Sequence, residues 1–229
     1  MKTEKYWLMK AEPDSRVVKG KDVKFSVDDF EEAKTTAWEG VRNHQAKNYM
    51  KSMHVGDKIL FYHSNCKEPG IAGFAHVVRE AYPDYTAWDP DHPYYDQKTD
   101  KDKPTWHMVD LDFDARCKNF VPLALLRGIA AGNAAVGYLS EDGAKAVKEM
   151  ELVGRGRLSV QRVEEDAYEV IRELAEKGGW DVDAGKKSKA SGKPKKADQG
   201  EDEPKRASRK RKAGEGQEGT RRSTRTKRE

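Results

Sequence analysis

The distribution of apolar residues along the chain limits where a folded core can form. From Asp183 to Glu229 the sequence contains no Val, Ile, Leu, Met, Phe, Tyr or Trp, and all five tryptophans lie before this segment. Such a segment cannot bury enough apolar surface to offset the entropy cost of ordering, so we predict that it is disordered. The preceding residues are numerous enough for one compact domain. We therefore predict a folded domain over residues 1–182 and a tail over residues 183–229.

The net charge of +4 is an average over two unlike parts of the chain. The tail carries 17 Lys and Arg against 8 Asp and Glu, which gives +9, whereas the first 182 residues carry 27 against 32, which gives −5. A cationic segment without fixed structure can follow phosphates along a nucleic acid. Its basic clusters at residues 186–196, 205–212 and 221–228 also suit nuclear import. The predicted localisation is therefore the nucleus.

Several functional classes are disfavoured by what the sequence lacks. It has no apolar run of the roughly 18 residues that a spanning helix needs, and its first residues are too polar for a signal peptide, so we expect no membrane partner. The motifs GxGxxG, GxxxxGK[ST], HExxH and GxSxG do not occur, so we expect no catalytic residue and no cofactor. His63 and Cys66 have a permitted metal spacing without further ligands, and Cys117 has no evident base, so we expect no metal site and no nucleophile. We expect a monomer.

The periodicity of apolar residues predicts a mixed α+β fold. Apolar or alternating runs predict strands, and capping residues with helical spacing predict short helices. The predicted strands cover residues 6–9, 58–63, 71–82, 106–113 and 157–163. The predicted helices cover residues 26–34, 43–53, 122–126, 140–150 and 164–177. The proline-rich and aspartate-rich residues 83–104 predict a long surface loop. With no regular βαβ alternation, we predict a partly open, mostly antiparallel barrel with short helices outside.

The segment Thr36–Asn48 combines residue types that bind nucleic acids. Trp38 has the ring to stack on a planar ligand, and Asn43 has an amide that can contact base edges or phosphate. The exposed face of the following helix is cationic, and together with Arg42 it is a candidate phosphate-binding surface. Its members are Arg42, His44, Lys47 and Lys51. The alternative interpretation is that Trp38 belongs to the core and that Asn43 only caps the helix.

Five ordered blocks of sequence resemble the signatures of EVE domains. They are YWLMKAEP at residues 6–13, WEGVRNHQA at 38–46, FYHS at 61–64, GIAG at 70–73 and EAYPD at 80–84, and the likeness continues through RLSVQ at 157–161. The resemblance extends to about Leu174 and does not cover the tail. It implies a PUA-like pseudo-barrel related to the YTH domains, which hold a methylated base in an aromatic cage. The resemblance also implies binding of 5-methylcytosine and 5-hydroxymethylcytosine in DNA.

The resemblance also implies where a base-binding pocket would lie. Trp38 matches the cage tryptophan that follows the first helix, and Lys10 and Glu12 fall where relatives place polar contacts to the base. Glu12 could equally be an exposed acid before Pro13. Ser64 ends one of the matching blocks. The second aromatic wall would come from a later loop, for which the candidates are Trp88, Tyr94 and Trp106.

Three functions remain open from the sequence. The first is a non-catalytic nuclear reader that binds nucleic acid bearing a modified base, with modified DNA ahead of RNA. The second is an adaptor whose tail binds acidic partners while the domain only scaffolds. The third is an enzyme acting on a base, for which only acids such as Glu12 and Glu39 are available as general bases.

The Arg-Gly-Arg sequence at residues 155–157 resembles a minor-groove hook, but Leu158 replaces the expected proline, so we predict a turn into the last strand.

Overall fold

The computed structural model describes residues 4–180, and the predicted disorder of residues 183–229 therefore lies outside the described residues. The predicted α+β class is confirmed. The strands are β1 Tyr6–Ala11, β2 Val17–Val18, β3 Lys21–Asp22, β4 Thr35–Ala37, β5 Lys58–His63, β6 Gly70–Pro83, β7 His107–Pro122 and β8 Val160–Val163. The helices are α1 Val27–Ala33, α2 His44–Lys51, α3 Leu123–Ala130, α4 Glu141–Glu149, α5 Glu151–Gly154 and α6 Glu165–Lys177, with a short 3-10 helix at Tyr85–Trp88. Within residues 4–180 no helix has the length and apolar character to cross a bilayer.

Six strands form one sheet in the order β4-β7-β6-β5-β1-β8, and β2 and β3 form a separate hairpin. Every neighbouring pair in the large sheet is antiparallel except β1 and β5, which run parallel in the register Tyr6 opposite Lys58. Strands β6 and β7 are long, and their pairing contains several register shifts. Such bulges bend and twist a sheet, as a partly open barrel requires.

Strand β1 is apolar along most of its length because both faces of the sheet are covered. Trp7 and Met9 belong to one buried cluster, with Phe61 of β5, while Leu8 belongs to a second cluster on the other face, with Leu60. Helices α1 and α2 contribute to the first cluster, and α3 to α6 contribute to the second. The end of β1 therefore emerges between two packed layers, which fixes the positions of Lys10 and Glu12.

Several sequence-based boundaries were wrong. Strand β7 continues to Pro122, although the predicted strand ended at Phe113. The prediction ended too early because residues 114–116 are all exposed and therefore show no alternation of buried and exposed positions. Pro122 is the residue before α3 rather than its first residue, and α3 continues to Ala130. Strand β8 begins at Val160 rather than at Arg157, so the Arg-Gly-Arg sequence lies in the connection before it.

Candidate functional site

A cleft of about 930 Å³ lies beside the end of β1. Its walls come from the end of β1, the β2–β3 hairpin, the segment from β4 to α2, and parts of the loops that follow β5, the 3-10 helix and α5. The cleft is open at the surface, and both aromatic and charged side chains line it. It brings together six residues predicted from the sequence, namely Lys10, Glu12, Trp38, Arg42, Ser64 and Tyr94.

Trp38 both packs in the core and lines the cleft. It is 8% exposed, and its ring meets those of Phe25 and Phe61 nearly edge-on, with centroids 6.2 Å and 5.9 Å away. Its backbone amide donates to the Val109 carbonyl at 2.7 Å, which fixes the residue against β7. The two interpretations of Trp38 from the sequence, core residue and cleft residue, are therefore compatible.

Tyr94 is the one of the three loop aromatics named above that lines the cleft. Its half-buried ring lies against Gly40, where an added Cβ would come within 2.4 Å of the ring. Gly40 also has a positive φ of 78°, so both the space and the backbone favour glycine. Arg42 fixes the backbone of the loop that carries Tyr94, because its Nε donates to the Tyr94 carbonyl at 2.8 Å. The Tyr94 ring is thereby held close to the Trp38 segment.

The buried carboxylate of Asp84 organises this wall of the cleft. It accepts hydrogen bonds from the Gly40 amide at 3.0 Å, from Arg42 Nη1 at 2.6 Å and from the Thr86 hydroxyl at 2.5 Å. Burial alone would raise the pKa of Asp84, but the bonds from Thr86 and Arg42 lower it below its ordinary value. Arg42 thus holds Asp84 and the Tyr94 backbone together, and its predicted phosphate contact stays a prediction.

Three charged groups that line the cleft have identified partners. Lys10 Nζ donates to the Gly156 carbonyl at 2.9 Å, and burial together with the nearby charge of Arg127 lowers the pKa of Lys10 to about 8. Glu12 forms an ion pair with Arg16 at 2.7 Å. Glu39 pairs with His92 at 3.1 Å. Burial and the neighbouring carboxylate of Asp84 raise the pKa of Glu39, although His92 opposes the change.

The remaining predicted residues lie outside the cleft. Asn43 is the N-cap of α2, where its side chain accepts from the Ala46 amide at 3.0 Å. Trp88 is half-buried in the 3-10 helix. Trp106 is 7% exposed and donates to Asp96 at 2.8 Å. Its ring also lies near cationic side chains, since the Arg42 guanidinium is 5.8 Å from it, Lys47 Nζ is 6.0 Å from it, and the His44 ring of α2 is 4.9 Å from it. Lys51 is exposed near the end of α2.

The cleft also contains residues that sequence reasoning did not assign to it. They include Phe25, Thr36, His92 and Arg157. Glu39 also lines the cleft, although the sequence analysis considered it only as a catalytic acid. Arg157 belongs to the Arg-Gly-Arg sequence, whose positive charge could have indicated a surface for binding phosphate. Phe25 and His92 come from distant parts of the chain, and no local pattern indicates that the fold brings them to Trp38.

His63, Ser64 and Cys117 have structural partners or are buried. His63 Nε2 accepts from the Val27 amide at 3.0 Å, and the Ser64 hydroxyl donates to the Ala11 carbonyl at 3.0 Å. Burial raises the pKa of Cys117 to about 12, so it is a neutral thiol at physiological pH. Over residues 4–180 no group of three or more His, Cys, Asp or Glu is placed to hold a metal ion.

Comparisons with known proteins identify the family of this domain. The EVE domain model matches residues 5–174. Human thymocyte nuclear protein 1 is 44% identical over 174 residues, which cover 75% of this chain and 74% of that protein. The crystal structure of human THYN1 protein in complex with 5-methylcytosine-containing DNA has a TM-score of 0.70 and 42% identity, and covers 77% of this chain and 100% of that chain. A protein from Pseudomonas syringae has a TM-score of 0.61 and 37% identity, and covers 74% of this chain and 99% of that chain. The chain belongs to the EVE domain family.

Proposed function

We propose that this protein is a non-catalytic reader that binds DNA carrying 5-methylcytosine or 5-hydroxymethylcytosine. The modified base enters the cleft and stacks against the rings of Trp38 and Tyr94. The observation that carries the proposal is the open cleft lined by both aromatic side chains in a domain similar to human THYN1 protein, which was solved with 5-methylcytosine-containing DNA. A closed interior would have favoured the adaptor interpretation instead.

Stacking supplies the free energy needed to take a base out of the duplex. Extruding a paired base costs a few kcal/mol, and stacking on an aromatic side chain contributes about 1–3 kcal/mol per base. Trp38 is held rigidly by Phe25 and Phe61, and Tyr94 is held by Gly40 and Arg42. Because these side chains are ordered before the base arrives, binding loses little conformational entropy.

The polar groups of the cleft suit the edge of a cytosine. Glu39 and Glu12 each carry carboxylate oxygens that can accept from the exocyclic amino group. A 5-methyl group adds about 0.8 kcal/mol of apolar burial, whereas a 5-hydroxymethyl group needs a hydrogen-bond partner at the same place. The Ser64 hydroxyl, which donates to Ala11, still has lone pairs to accept such a bond.

The location and non-enzymatic character of the protein belong to the same proposal. Relatives are named thymocyte nuclear protein 1, and the basic clusters after Asp183 suit import, so we place the protein in the nucleus. The acids of the cleft, Glu12 and Glu39, are paired with Arg16 and His92. These ion pairs support a role for both acids in binding without catalysis.

Titration of the full chain with matched duplexes tests the proposal. The duplexes differ at one position only, which carries cytosine, 5-methylcytosine or 5-hydroxymethylcytosine, and a fourth carries N6-methyladenine. We expect tighter binding to one or both modified cytosines than to cytosine or N6-methyladenine. Equal affinity for all four duplexes would refute a reader of modified cytosine, and preference for N6-methyladenine would assign a different base.

A further inference from the structure

The connection between α5 and β8 borders the cleft and has no role in the proposed base contact. Gly156, Arg157 and Ser159 line the cleft, while Gly154 and Arg155 line a neighbouring groove of about 650 Å³. We call residues Gly154–Arg157 the arginine loop. It contains the Arg-Gly-Arg sequence that stands out in the chain, and it lies between two surface depressions.

The backbone of the arginine loop is held from the inside of the protein. The buried Gln161 donates to the carbonyl of Arg155 at 2.7 Å, and Lys10 Nζ donates to the carbonyl of Gly156 at 2.9 Å. The Arg155 amide donates to the Glu151 carbonyl, and Glu151 accepts in turn from the Tyr49 hydroxyl of α2 at 3.0 Å. The loop is therefore fixed to β1, β8 and α2 while its side chains project from the surface.

Three exposed arginines surround this backbone without a countercharge. Arg155 and Arg157 are exposed, and so is Arg127, whose Nη2 would lie 3.9 Å from a Cβ at Gly156. Glu149 and Glu151 line the groove that Arg127 and Arg155 also line. Among the described residues, however, no carboxylate comes within ion-pair distance of any of the three arginines. Three like charges held close together favour an anionic ligand.

The two glycines of the loop are not explained by the fold. Neither Gly154 nor Gly156 has a positive φ. A Cβ at Gly154 would meet nothing within 4 Å, and one at Gly156 would meet only the Arg127 guanidinium at ordinary contact distance. Alanine would therefore fit at both positions. Glycine is preferred where a ligand approaches the backbone closely, and that explanation suits the outward face of this loop.

We propose that the arginine loop and Arg127 form a phosphate-binding rim for the DNA strand whose modified base occupies the cleft. This inference rests on the proposed function. Arg155 and Arg157 contact phosphate oxygens, and the missing side chains at Gly154 and Gly156 allow the sugar-phosphate chain to lie on the loop backbone. Guanidinium groups suit phosphate because they donate in a planar, bidentate geometry. Contacts of this kind position the strand and carry no base information.

The test measures binding of the full chain to the cytosine and 5-methylcytosine duplexes over a range of salt concentrations. Arg155→Ala and Arg157→Ala should each weaken binding to both duplexes about tenfold and reduce the slope of log affinity against log salt by about 1. Gly156→Ala should weaken binding to both duplexes without lowering the melting temperature. Arg172→Ala, on α6 and paired with Glu169, controls for loss of one positive charge, and Gly137→Ala controls for an open glycine elsewhere.

The outcomes separate this inference from the proposed function. If Arg155→Ala and Arg157→Ala bind both duplexes as Arg172→Ala does, the rim is refuted, even if wild type prefers 5-methylcytosine. If they instead remove the preference between duplexes, the loop reads the base and does not bind phosphate. Wild-type affinity in Gly156→Ala would refute the close approach of the strand. If wild type shows no preference but the arginine variants lose affinity and salt slope, the rim stands and the proposed reader function fails.

Discussion

Individual side chains of the cleft combine a structural task with a proposed binding task. Trp38 packs edge-on against two phenylalanines while it lines the cleft, and Arg42 joins Asp84 to the loop that carries Tyr94. Removing either residue therefore disturbs the fold as well as the cleft. Trp38→Ala, for example, should lower the free energy of unfolding by about 3–5 kcal/mol. Tyr94 is half-buried and is the better residue for separating binding from stability.

Tyr94→Ala should abolish most of the preference for the modified cytosine. Loss of one stacking ring weakens binding to the modified duplex by about 1–3 kcal/mol, and the unmodified duplex should lose less, because its base gains less from entering the cleft. Fluorescence anisotropy with both duplexes measures the two effects. Tyr95→Ala is the matched control, because Tyr95 is a half-buried neighbour in the same loop that does not line the cleft. A Tyr94→Ala protein with the wild-type preference would exclude the ring as a wall.

The affinity for DNA should fall as the pH rises from about 7 to about 9, because Lys10 loses its proton with a pKa of about 8. An ordinary lysine stays charged to a pKa of about 10.4. The pKa of Lys10 is lower in the folded protein than in the unfolded chain, so between about pH 8 and about pH 10.4 the unfolded chain binds more protons at Lys10. The free energy of unfolding therefore rises with pH over this range as far as Lys10 is concerned. Unfolding driven by Lys10 therefore cannot cause the loss of affinity.

Lys10→Arg provides the control, since arginine keeps its charge throughout this range. We expect titrations at constant ionic strength to show a flatter pH dependence for Lys10→Arg than for wild type. An affinity of the wild-type protein that stays constant through about pH 9 would contradict a role for the Lys10 ammonium in binding.

Among the helices and strands, the elements predicted correctly from the sequence are those defined by local interactions. Helix α1 shows this clearly, because Ser26 and Asp29 form the capping box that their spacing indicates. The parallel pairing of β1 with β5 depends on contacts between segments about fifty residues apart, and no local pattern specifies it. Strand β4 and the β2–β3 hairpin were missed because two or three residues are too few to show a period.

The cleft follows the same division. Lys10, Glu12 and Trp38 were placed there because they lie in sequence blocks that resemble a known family. Two sets of contacts arise only when the loop folds onto the β4–α2 segment. The first is the contact of Tyr94 with Gly40, and the second is the set of hydrogen bonds that Asp84 accepts from Gly40, Arg42 and Thr86. Sequence reasoning could name Tyr94 as one of three candidates. It could not rank the three, because their distances from Trp38 depend on the path of the loop.

Helix α2 provides a prediction about Asn43. Its side chain caps the helix, so Asn43→Ala should lower the free energy of unfolding by about 1 kcal/mol and leave the preference among bases unchanged. Asn43→Asp retains an oxygen that can accept from the Ala46 amide and should keep nearly all of the stability. Chemical denaturation and duplex titration of the same two variants measure both properties. A changed base preference in a stably folded Asn43→Ala protein would show that the amide contacts the base.

The charge distribution of the chain predicts a division of labour between residues 1–182 and residues 183–229. Because the first part is net −5 and the second net +9, deletion of residues 183–229 should weaken binding to every duplex and flatten its salt dependence. The preference for modified cytosine and the melting temperature should change little. A large fall in the melting temperature on deletion would show that the segment contributes to the stability of the domain.

A photocrosslink from the base itself tests most directly whether the modified cytosine occupies the cleft. A duplex with 5-iodocytosine at the modified position places an iodine where the methyl group would be. Irradiation breaks the C5–iodine bond and joins C5 to a carbon of an aromatic ring stacked on the base, while the iodine and a ring hydrogen leave as hydrogen iodide. Peptide mapping of the full chain then identifies the residue. We predict crosslinks to Trp38 or Tyr94, competed by the 5-methylcytosine duplex. Competed crosslinks to Trp88 or Trp106, with none to Trp38 or Tyr94, would contradict binding of the base in the cleft.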